Sequence, residues 1–144
     1  MKYCYDYPRP AMTVDAALLV SENNEWKILL IERKHNPFAG SWALPGGFVE
    51  ENETLEQAVE RELMEETGLK ASTLEQFRAY SNLNRDPRQR TITMVFVSII
   101  DKIPDHAIAG DDAATLKWFS IDNLPGLAFD HSEIVNDIKQ LLLN

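Results

Sequence analysis

Residues 54–68 contain the feature that most constrains the fold, an amphipathic helix whose inner stripe changes from apolar to acidic. Its first turns place apolar side chains at the i, i+3 and i+4 spacing of a buried face: Leu55, Ala58 and Val59. At about 100° per residue, the same stripe continues to Glu62 and Glu66, with Glu65 at its edge. A chain that folds around this helix therefore directs three carboxylates at a surface that should be apolar.

Three carboxylates within two helical turns repel one another, and partial burial increases the cost of keeping them all ionised. Either some of them take up protons or a cation binds between them. Because oxygen-only ligands favour hard cations, the pattern indicates Mg²⁺ or Mn²⁺, with waters and a substrate phosphate completing the octahedron. A solvated acidic helix face is the alternative. Glu53, Glu56 and Glu60 fall on the other side of the helix, and we expect them to be mainly solvated.

Two glycines precede the helix in the stretch LPGGFVEENET, residues 44–54. A glycine loop can bring backbone amides or carbonyls close to a ligand or metal, where side chains would interfere. The alternative is an ordinary turn. We predict that the backbone of Gly46 is a further metal ligand.

Length and composition limit the class of protein. The 144 residues are 44% hydrophobic and 26% charged, which predicts one globular domain over residues 1–144. The N-terminus lacks the apolar core of a signal peptide and no run approaches a membrane span, so we expect a cytoplasmic protein. A net charge of −9 argues against binding to nucleic acid or an anionic membrane. A phosphate-bearing substrate would therefore need a local metal ion or clustered arginines.

The hydrophobic pattern along the chain predicts both strands and helices. A β-hairpin is predicted over 11–33, followed by a loop with short extended pieces over 36–53 and a helix that ends at Gly68. Further strands are expected over 72–81, 91–100 and 114–120, and a helix closes the chain. We therefore predict a mixed α/β domain.

The spacing of the acidic helix and its preceding loop resembles the Nudix box. Gly47 is followed after five residues by Glu53 and after seven more by RELMEETGL, residues 61–69, which matches the box at every specified position. The resemblance implies the Nudix fold, with a mixed central sheet between helices, and hydrolysis of a nucleoside diphosphate linked to another group with divalent cations. It implies three metal-binding carboxylates, Glu62, Glu65 and Glu66. Glu53 would support that metal site, and Arg61 would orient neighbouring carboxylates.

A carboxylate near the attacking water can serve as general base. Glu62 or Glu65 is the favoured residue for this role. Since some family members use an acidic residue on a later loop, Asp105, Asp111 and Asp112 are alternatives, and a solvated loop is the other interpretation of that run.

Stretches outside the box resemble the branch that contains ADP-ribose pyrophosphatases and the Nudix-like sensors of NAD regulators. They are YPRPAMTVDAALL, RKHNPFAGSWALPGGFVE, RDPRQRTITMVF, DDAATLKWF and FDH. The resemblance implies conversion of ADP-ribose and water to AMP and ribose 5-phosphate, with Mg²⁺ as cofactor and Mn²⁺ as a substitute. It also implies a homodimer with YCYDYPRP as a contact. The alternatives are a pyrophosphatase of oxidised nucleoside triphosphates and a non-catalytic ADP-ribose sensor.

Arginines are the candidates for binding the phosphates, because a guanidinium pairs with phosphate oxygens in a forked geometry. They are Arg33 at a strand end and the cluster Arg85, Arg88 and Arg90. A solvated loop is the alternative for the cluster.

Three aromatic residues are candidates for stacking on a base or ribose, with core packing as the alternative for each: Phe38, Trp42 and Phe129. The scattered histidines His35, His106 and His131 are interpreted as incidental.

Overall fold

The computed structural model describes residues 2–105 and 113–143. Its elements are β1 (Ala11–Glu22), β2 (Glu25–Arg33), β3 (Trp42–Ala43), β4 (Gly46–Phe48), α1 (Leu55–Thr67), β5 (Glu75–Tyr80), β6 (Thr91–Ile100), β7 (Ala113–Ser120) and α2 (His131–Leu142). No helix in these ranges is long and apolar enough to cross a membrane.

One mixed sheet of seven strands organises the chain. Its main path runs β3-β2-β1-β6-β5, with β4 paired to β1 and β7 paired to β2. The predicted hairpin is confirmed, since β1 and β2 pair antiparallel up to Glu22 and Glu25. The two turn residues, Asn23 and Asn24, have φ of 55° and 63°. Two successive positive φ angles are what a tight hairpin turn requires, and asparagine tolerates them better than most residues. The long parallel pairing of β1 with β6 then makes these two strands the centre of the sheet.

Each face of the sheet packs against one helix. Side chains in a strand alternate between faces, so Val14, Ala16 and Leu18 of β1 pack with α1. Ala17 and Leu19 belong to the other buried cluster, which includes Ile134, Val135 and Ile138 of α2. The predicted fold class, a mixed sheet between helices, is confirmed.

Helix α1 is fixed at both ends by local sequence. Thr54 caps its N-terminus, and the side chains of Thr54 and Gln57 each accept a hydrogen bond from the other's backbone amide. At the other end, Gly68 has φ of 72° and donates its amide to the Met64 carbonyl, as predicted for the helix stop. This boundary places Leu63 and Glu66 on the buried side of the last turns.

Candidate active site

Glu66 lies almost wholly inside the protein, with 6% of its surface exposed. The backbone amide of Gly46 donates a hydrogen bond of 2.8 Å to Glu66 Oε1. Burial, reinforced by the nearby carboxylates of Glu62 and Asp15, raises the pKa of Glu66 to about 9, although the Gly46 amide opposes the shift. The carboxyl group of Glu66 is therefore largely protonated at neutral pH when no cation is bound.

Two glycines allow the backbone of β4 to lie directly against these carboxylates. A Cβ on Gly47 would lie 2.5 Å from the carboxylate carbon of Glu62. A Cβ on Gly46 would lie 2.1 Å from the carbonyl oxygen of Val14. Side chains at either position would collide with the carboxylate or with the neighbouring strand, which explains why the loop needs glycine here.

Arg61 links the carboxylates of this region. Its Nη2 donates 2.6 Å to Glu53 Oε1 and 3.0 Å to the carbonyl of Phe48. Its Nη1 donates 2.8 Å to Glu62 Oε1 and 3.2 Å to Glu65 Oε2. The hydrogen bonds from Arg61 lower the pKa of Glu53 to about 2, so Glu53 stays ionised. The expectation that Glu53 is mainly solvated is wrong, because this ion pair holds its side chain at 11% exposure.

The three carboxylates of the helix stripe do not occupy equivalent places. Glu62 and Glu66 lie close enough to affect each other's ionisation, and burial raises the pKa of Glu62 as well. Glu65 points to the outer side, where its side chain is 58% exposed beside Arg61. Within residues 2–105 and 113–143, no three Asp, Glu, His or Cys side chains are already arranged around one metal position. The structure brings two of the three carboxylates together.

This donor set fits a hard divalent cation. Glu62 and Glu66 offer only oxygen atoms, and without a cation their proximity is relieved by a bound proton. A divalent ion can replace that proton, with water and phosphate oxygens filling the positions that the protein leaves open. The glycine backbone keeps the space beside the carboxylates free of side chains.

A cleft of about 470 Å³ opens over Glu62 and Glu66, and we call it the carboxylate cleft. Among its lining residues are four arginines and two aromatic residues: Arg33, Arg61, Arg85, Arg88, Phe48 and Phe129. Arg90 and Trp42 do not line it. Arg90 is exposed, and Trp42 packs edge-on against Phe119 at 4.8 Å beside the α2 core cluster. Phe38 contacts Phe129 at the cleft margin, with ring centroids 4.9 Å apart.

The three cleft arginines that were predicted to bind phosphate differ in their partners. Arg85 is buried and pairs with both carboxylate oxygens of Asp130 at 2.8 and 2.9 Å. Arg88 pairs with Asp86 at 2.8 and 3.1 Å. Arg33 donates to the Pro37 carbonyl at 2.8 Å, and no carboxylate of the described ranges lies within ion-pair distance of it. Burial and the charge of Arg88 lower the pKa of Arg33. Arg33 can therefore pair with an anion in the cleft without first giving up an ion pair.

A chain of buried polar groups, missed at the level of sequence, supports the cleft from the α2 side. Thr93 Oγ1 donates 2.7 Å to Asp15 Oδ2, and Asp15 Oδ1 lies 3.7 Å from His131 Nε2. The backbone amide of Leu44 donates 3.0 Å to His131 Nδ1. The interpretation of His131 as incidental is therefore wrong. The sequence feature that could have indicated this buried polar chain is Asp15, a charged residue inside the apolar run TVDAALLV.

Asp105 is exposed at the end of the first described range and does not line the cleft. Asp111 and Asp112 lie outside the described residues.

A family model described as NUDIX domain matches residues 10–138. An ADP-ribose pyrophosphatase from Methanocaldococcus jannaschii is 50% identical over 91% of this chain and 74% of its own length. The ADPR responsive transcriptional repressor NtrR from Acinetobacter baylyi is 36% identical over 96% of this chain, which spans 57% of that repressor.

Two solved structures are similar to this chain over most of its length. The NUDIX domain of Shewanella oneidensis NrtR complexed with ADP ribose superposes with a TM-score of 0.87 at 32% identity, covering 96% of this chain and 94% of that one. A bifunctional NMN adenylyltransferase/ADP ribose pyrophosphatase from Francisella tularensis, complexed with AMP and a manganese ion, superposes with a TM-score of 0.83 at 32% identity. That match covers 94% of this chain and 43% of the Francisella chain.

Proposed function

The chain belongs to the NUDIX family and is a pyrophosphohydrolase, and from that premise we propose that it hydrolyses ADP-ribose to AMP and ribose 5-phosphate. The observation that carries this proposal is the placement of Glu62 and Glu66 against Gly46 and Gly47, under a cleft that also presents Arg33. Carboxylates for a cation and a guanidinium for phosphate then meet in one place. The identity to an ADP-ribose pyrophosphatase supports ADP-ribose as the substrate.

The metal is Mg²⁺, with Mn²⁺ as a substitute, because the donor set consists of oxygen atoms. Glu62, Glu65, Glu66 and the backbone of Gly46 would hold it. Bound there, the ion would neutralise phosphate charge and lower the pKa of a bound water. In the structure without a cation, the exposed side chain of Glu65 pairs with Arg61 at 3.2 Å.

The residues of the chain position the diphosphate and receive the proton. Arg33 and Arg88 contact the phosphate oxygens, whereas Arg85 shapes the wall through its pair with Asp130. Water attacks one phosphorus, the bridging P–O bond breaks, and Glu62 or Glu65 accepts the proton of the attacking water. Asp111 and Asp112 are the alternative acceptors.

The test is product analysis by chromatography after incubation with ADP-ribose and Mg²⁺. We expect AMP and ribose 5-phosphate in equal amounts, at a rate well above those for ADP-glucose and 8-oxo-dGTP and abolished by EDTA. Release of inorganic pyrophosphate from 8-oxo-dGTP as the dominant reaction would replace ADP-ribose with an oxidised triphosphate as the substrate.

A sensor is the second candidate, favoured by the similarity to NtrR and to a NrtR domain complexed with ADP ribose. If the protein is a sensor, ADP-ribose should raise the melting temperature of the protein without being cleaved. The box carboxylates are all present in this chain, so we rank hydrolysis first.

We also propose that the protein is a cytoplasmic homodimer with the N-terminal arm as a contact. The arm exposes three tyrosines, Tyr3, Tyr5 and Tyr7, at 57%, 51% and 69%. Exposed aromatic side chains in one segment favour a protein contact. Sedimentation of the full chain tests this, and a monomer at micromolar concentration would contradict it.

A further inference from the structure

The loop over residues 81–90, between β5 and β6, is held in place by charged side chains. Within this fully described loop, the only buried residues are Arg85 and Asp86. Charged side chains are rarely buried unless they are paired. Apolar packing therefore does not anchor this loop, and the partners of these two side chains decide where it lies.

Arg85 and Asp130 form a forked ion pair that joins this loop to the start of α2, and we call it the clasp. Arg85 Nη2 donates 2.8 Å to Asp130 Oδ1, and Arg85 Nε donates 2.9 Å to Oδ2. The two side chains are only 4% and 12% exposed. Asp130 occupies the N-cap position of α2, but in the described helix its carboxylate makes no capping hydrogen bond. Both of its oxygens are committed to Arg85 instead.

Asp86 connects this anchor to Arg88. Asp86 Oδ1 accepts hydrogen bonds from the Arg88 backbone amide at 2.9 Å and from Arg88 Nε at 3.1 Å. Its Oδ2 accepts from Arg88 Nη2 at 2.8 Å. The guanidinium carbon of Arg88 lies 5.1 Å from the ring centroid of Phe48 and 5.6 Å from that of Phe129. Arg88 therefore lines the carboxylate cleft from a turn that the clasp anchors.

The carboxylates of the cleft are positioned by other contacts. Glu62 and Glu66 both lie on α1, and the Gly46 amide donates 2.8 Å to Glu66. Arg61 of the same helix donates 2.8 Å to Glu62. These contacts do not pass through the clasp. Loss of the clasp should therefore displace Arg88 and leave the carboxylates in place.

We propose that Asp130 is a positioning residue for substrate binding, which acts through Arg85 to fix the turn that presents Arg88 to the phosphates. The proposal rests on the proposed function, since Arg88 is assigned there to the diphosphate. A forked pair of hydrogen bonds fixes direction as well as distance. Apolar contact, by comparison, is not directional. The clasp thus sets the orientation of the turn in addition to its burial.

Two variants remove the fork in different ways. Arg85→Lys keeps the charge and loses the forked geometry. Arg85→Met combined with Asp130→Leu replaces the clasp with apolar side chains, and such a replacement of a whole buried ion pair often preserves or raises stability. The control is Arg78→Lys, in an ion pair with Asp137 at 3.1 Å that also ties a strand to α2 but does not line the cleft.

In both clasp variants we expect the KM of ADP-ribose to rise about tenfold, as the loss of a hydrogen bond to a charged group predicts. The Kd of inorganic pyrophosphate, measured by calorimetry with Mg²⁺, should rise by the same factor. Both kcat and the Kd of Mn²⁺ should change by less than about threefold, because the carboxylates keep their contacts. Arg78→Lys should leave all four quantities within about twofold of the wild type. The double variant should melt at or above the wild-type temperature.

A wild-type KM and pyrophosphate Kd in the folded double variant would overturn the proposal, since burial alone would then hold the turn. Equal weakening of Mn²⁺ and pyrophosphate would also overturn it, because the clasp would then act on the carboxylates as well. Unfolding of both variants would make the clasp a requirement for the fold rather than for substrate binding.

Failure of the proposed function is visible separately. A wild-type protein that binds pyrophosphate in a clasp-dependent way but releases no AMP from ADP-ribose would refute hydrolysis and leave the role of Asp130 standing.

Discussion

His131 Nδ1 accepts a hydrogen bond of 3.0 Å from the backbone amide of Leu44, a residue 87 positions earlier in the chain. Burial lowers the pKa of His131, so the imidazole is neutral. Because Nδ1 accepts, the neutral ring carries its proton on Nε2, which faces Asp15. The first residue of α2 thereby fixes the loop that leads into Gly46.

Replacing His131 should therefore affect both stability and activity. We expect His131→Ala to reduce the free energy of unfolding by about 1–3 kcal/mol, because the Leu44 amide is left buried without a partner. We expect kcat to fall more than KM changes, since the glycine loop shifts relative to Glu66. His131→Asn, whose side-chain oxygen can replace Nδ1 as acceptor, should recover part of kcat. Equal loss in the alanine and asparagine variants would contradict a positioning role.

Glu66→Gln should preserve the fold and abolish most activity. An amide oxygen is a poorer ligand for a divalent cation than a carboxylate, so we expect kcat to fall by about 100-fold or more. Glu60→Gln, an exposed position on the same helix, is the matched control and should retain wild-type turnover. Steady-state rates at limiting Mg²⁺ provide the measurement, and wild-type turnover by Glu66→Gln would remove Glu66 from the metal site.

The raised pKa of Glu66 predicts a pH-dependent stability of the metal-free protein. The ordinary value of 4.5 applies to the unfolded chain and about 9 to the folded one. The folded state therefore binds the proton more tightly, and the contribution of Glu66 to stability is full below pH 4.5 and is lost as the pH rises to and through 9. Thermal unfolding in EDTA between pH 5 and pH 9 should show this decline in the wild type and a flatter curve in Glu66→Gln. Parallel curves for the two proteins would contradict the assignment.

Divalent cations should reverse that decline. Since the cation replaces a proton at Glu66, its affinity should rise with pH up to about 9. The stabilisation by Mg²⁺, measured as a shift in melting temperature, should accordingly be larger at pH 8.5 than at pH 6. A shift independent of pH would mean that binding displaces no proton.

Arg61→Lys should impair activity although it keeps the charge. The guanidinium donates to Glu53, Glu62, Glu65 and Phe48 at once, and an ammonium group cannot reach the same set in a forked geometry. We expect a loss of about 10- to 100-fold in kcat, as is typical when a group that orients metal ligands is removed. Arg78→Lys, at an exposed ion pair with Asp137, should change kcat by less than about twofold.

Gly47→Ala provides a steric test of the same geometry. Its Cβ would lie 2.5 Å from the Glu62 carboxylate carbon, so Glu62 must move away from Glu66. We expect kcat to fall at least about tenfold, because a small misplacement at a catalytic centre has large kinetic effects. Gly126→Ala, where a Cβ meets nothing within 4 Å, should leave turnover unchanged. Similar rates for both alanine variants would show that Glu62 does not need this position.

Much of the fold was predictable because its signals are local. The β1–β2 hairpin follows from apolar runs separated by Asn23 and Asn24, and the end of α1 follows from Gly68. The approach of two acidic side chains also follows from local spacing, since Glu62 and Glu66 are one helical turn apart. The family could be recognised for the same reason, because the box is contiguous in sequence.

The partners of isolated polar residues could not be predicted in this way. The arginine cluster looked uniform in sequence, but Arg85 is neutralised by Asp130, 45 residues later, while Arg90 is exposed away from the cleft. Phe129 and Phe38 meet only because two loops converge. Such pairs depend on how distant segments close on each other, which periodicity does not encode.

The sequence by itself determined the helix, its acidic stripe, the glycine loop and the family, because each depends on spacing within one segment. Tertiary structure decided that Glu66 is buried while Glu65 is exposed, that Arg33 lines the cleft without forming an ion pair, and that His131 holds the loop at Leu44. The physical reason is that burial and charge compensation depend on neighbours from other elements. Those neighbours set the pKa of Glu66 and hence the demand for a cation at this site.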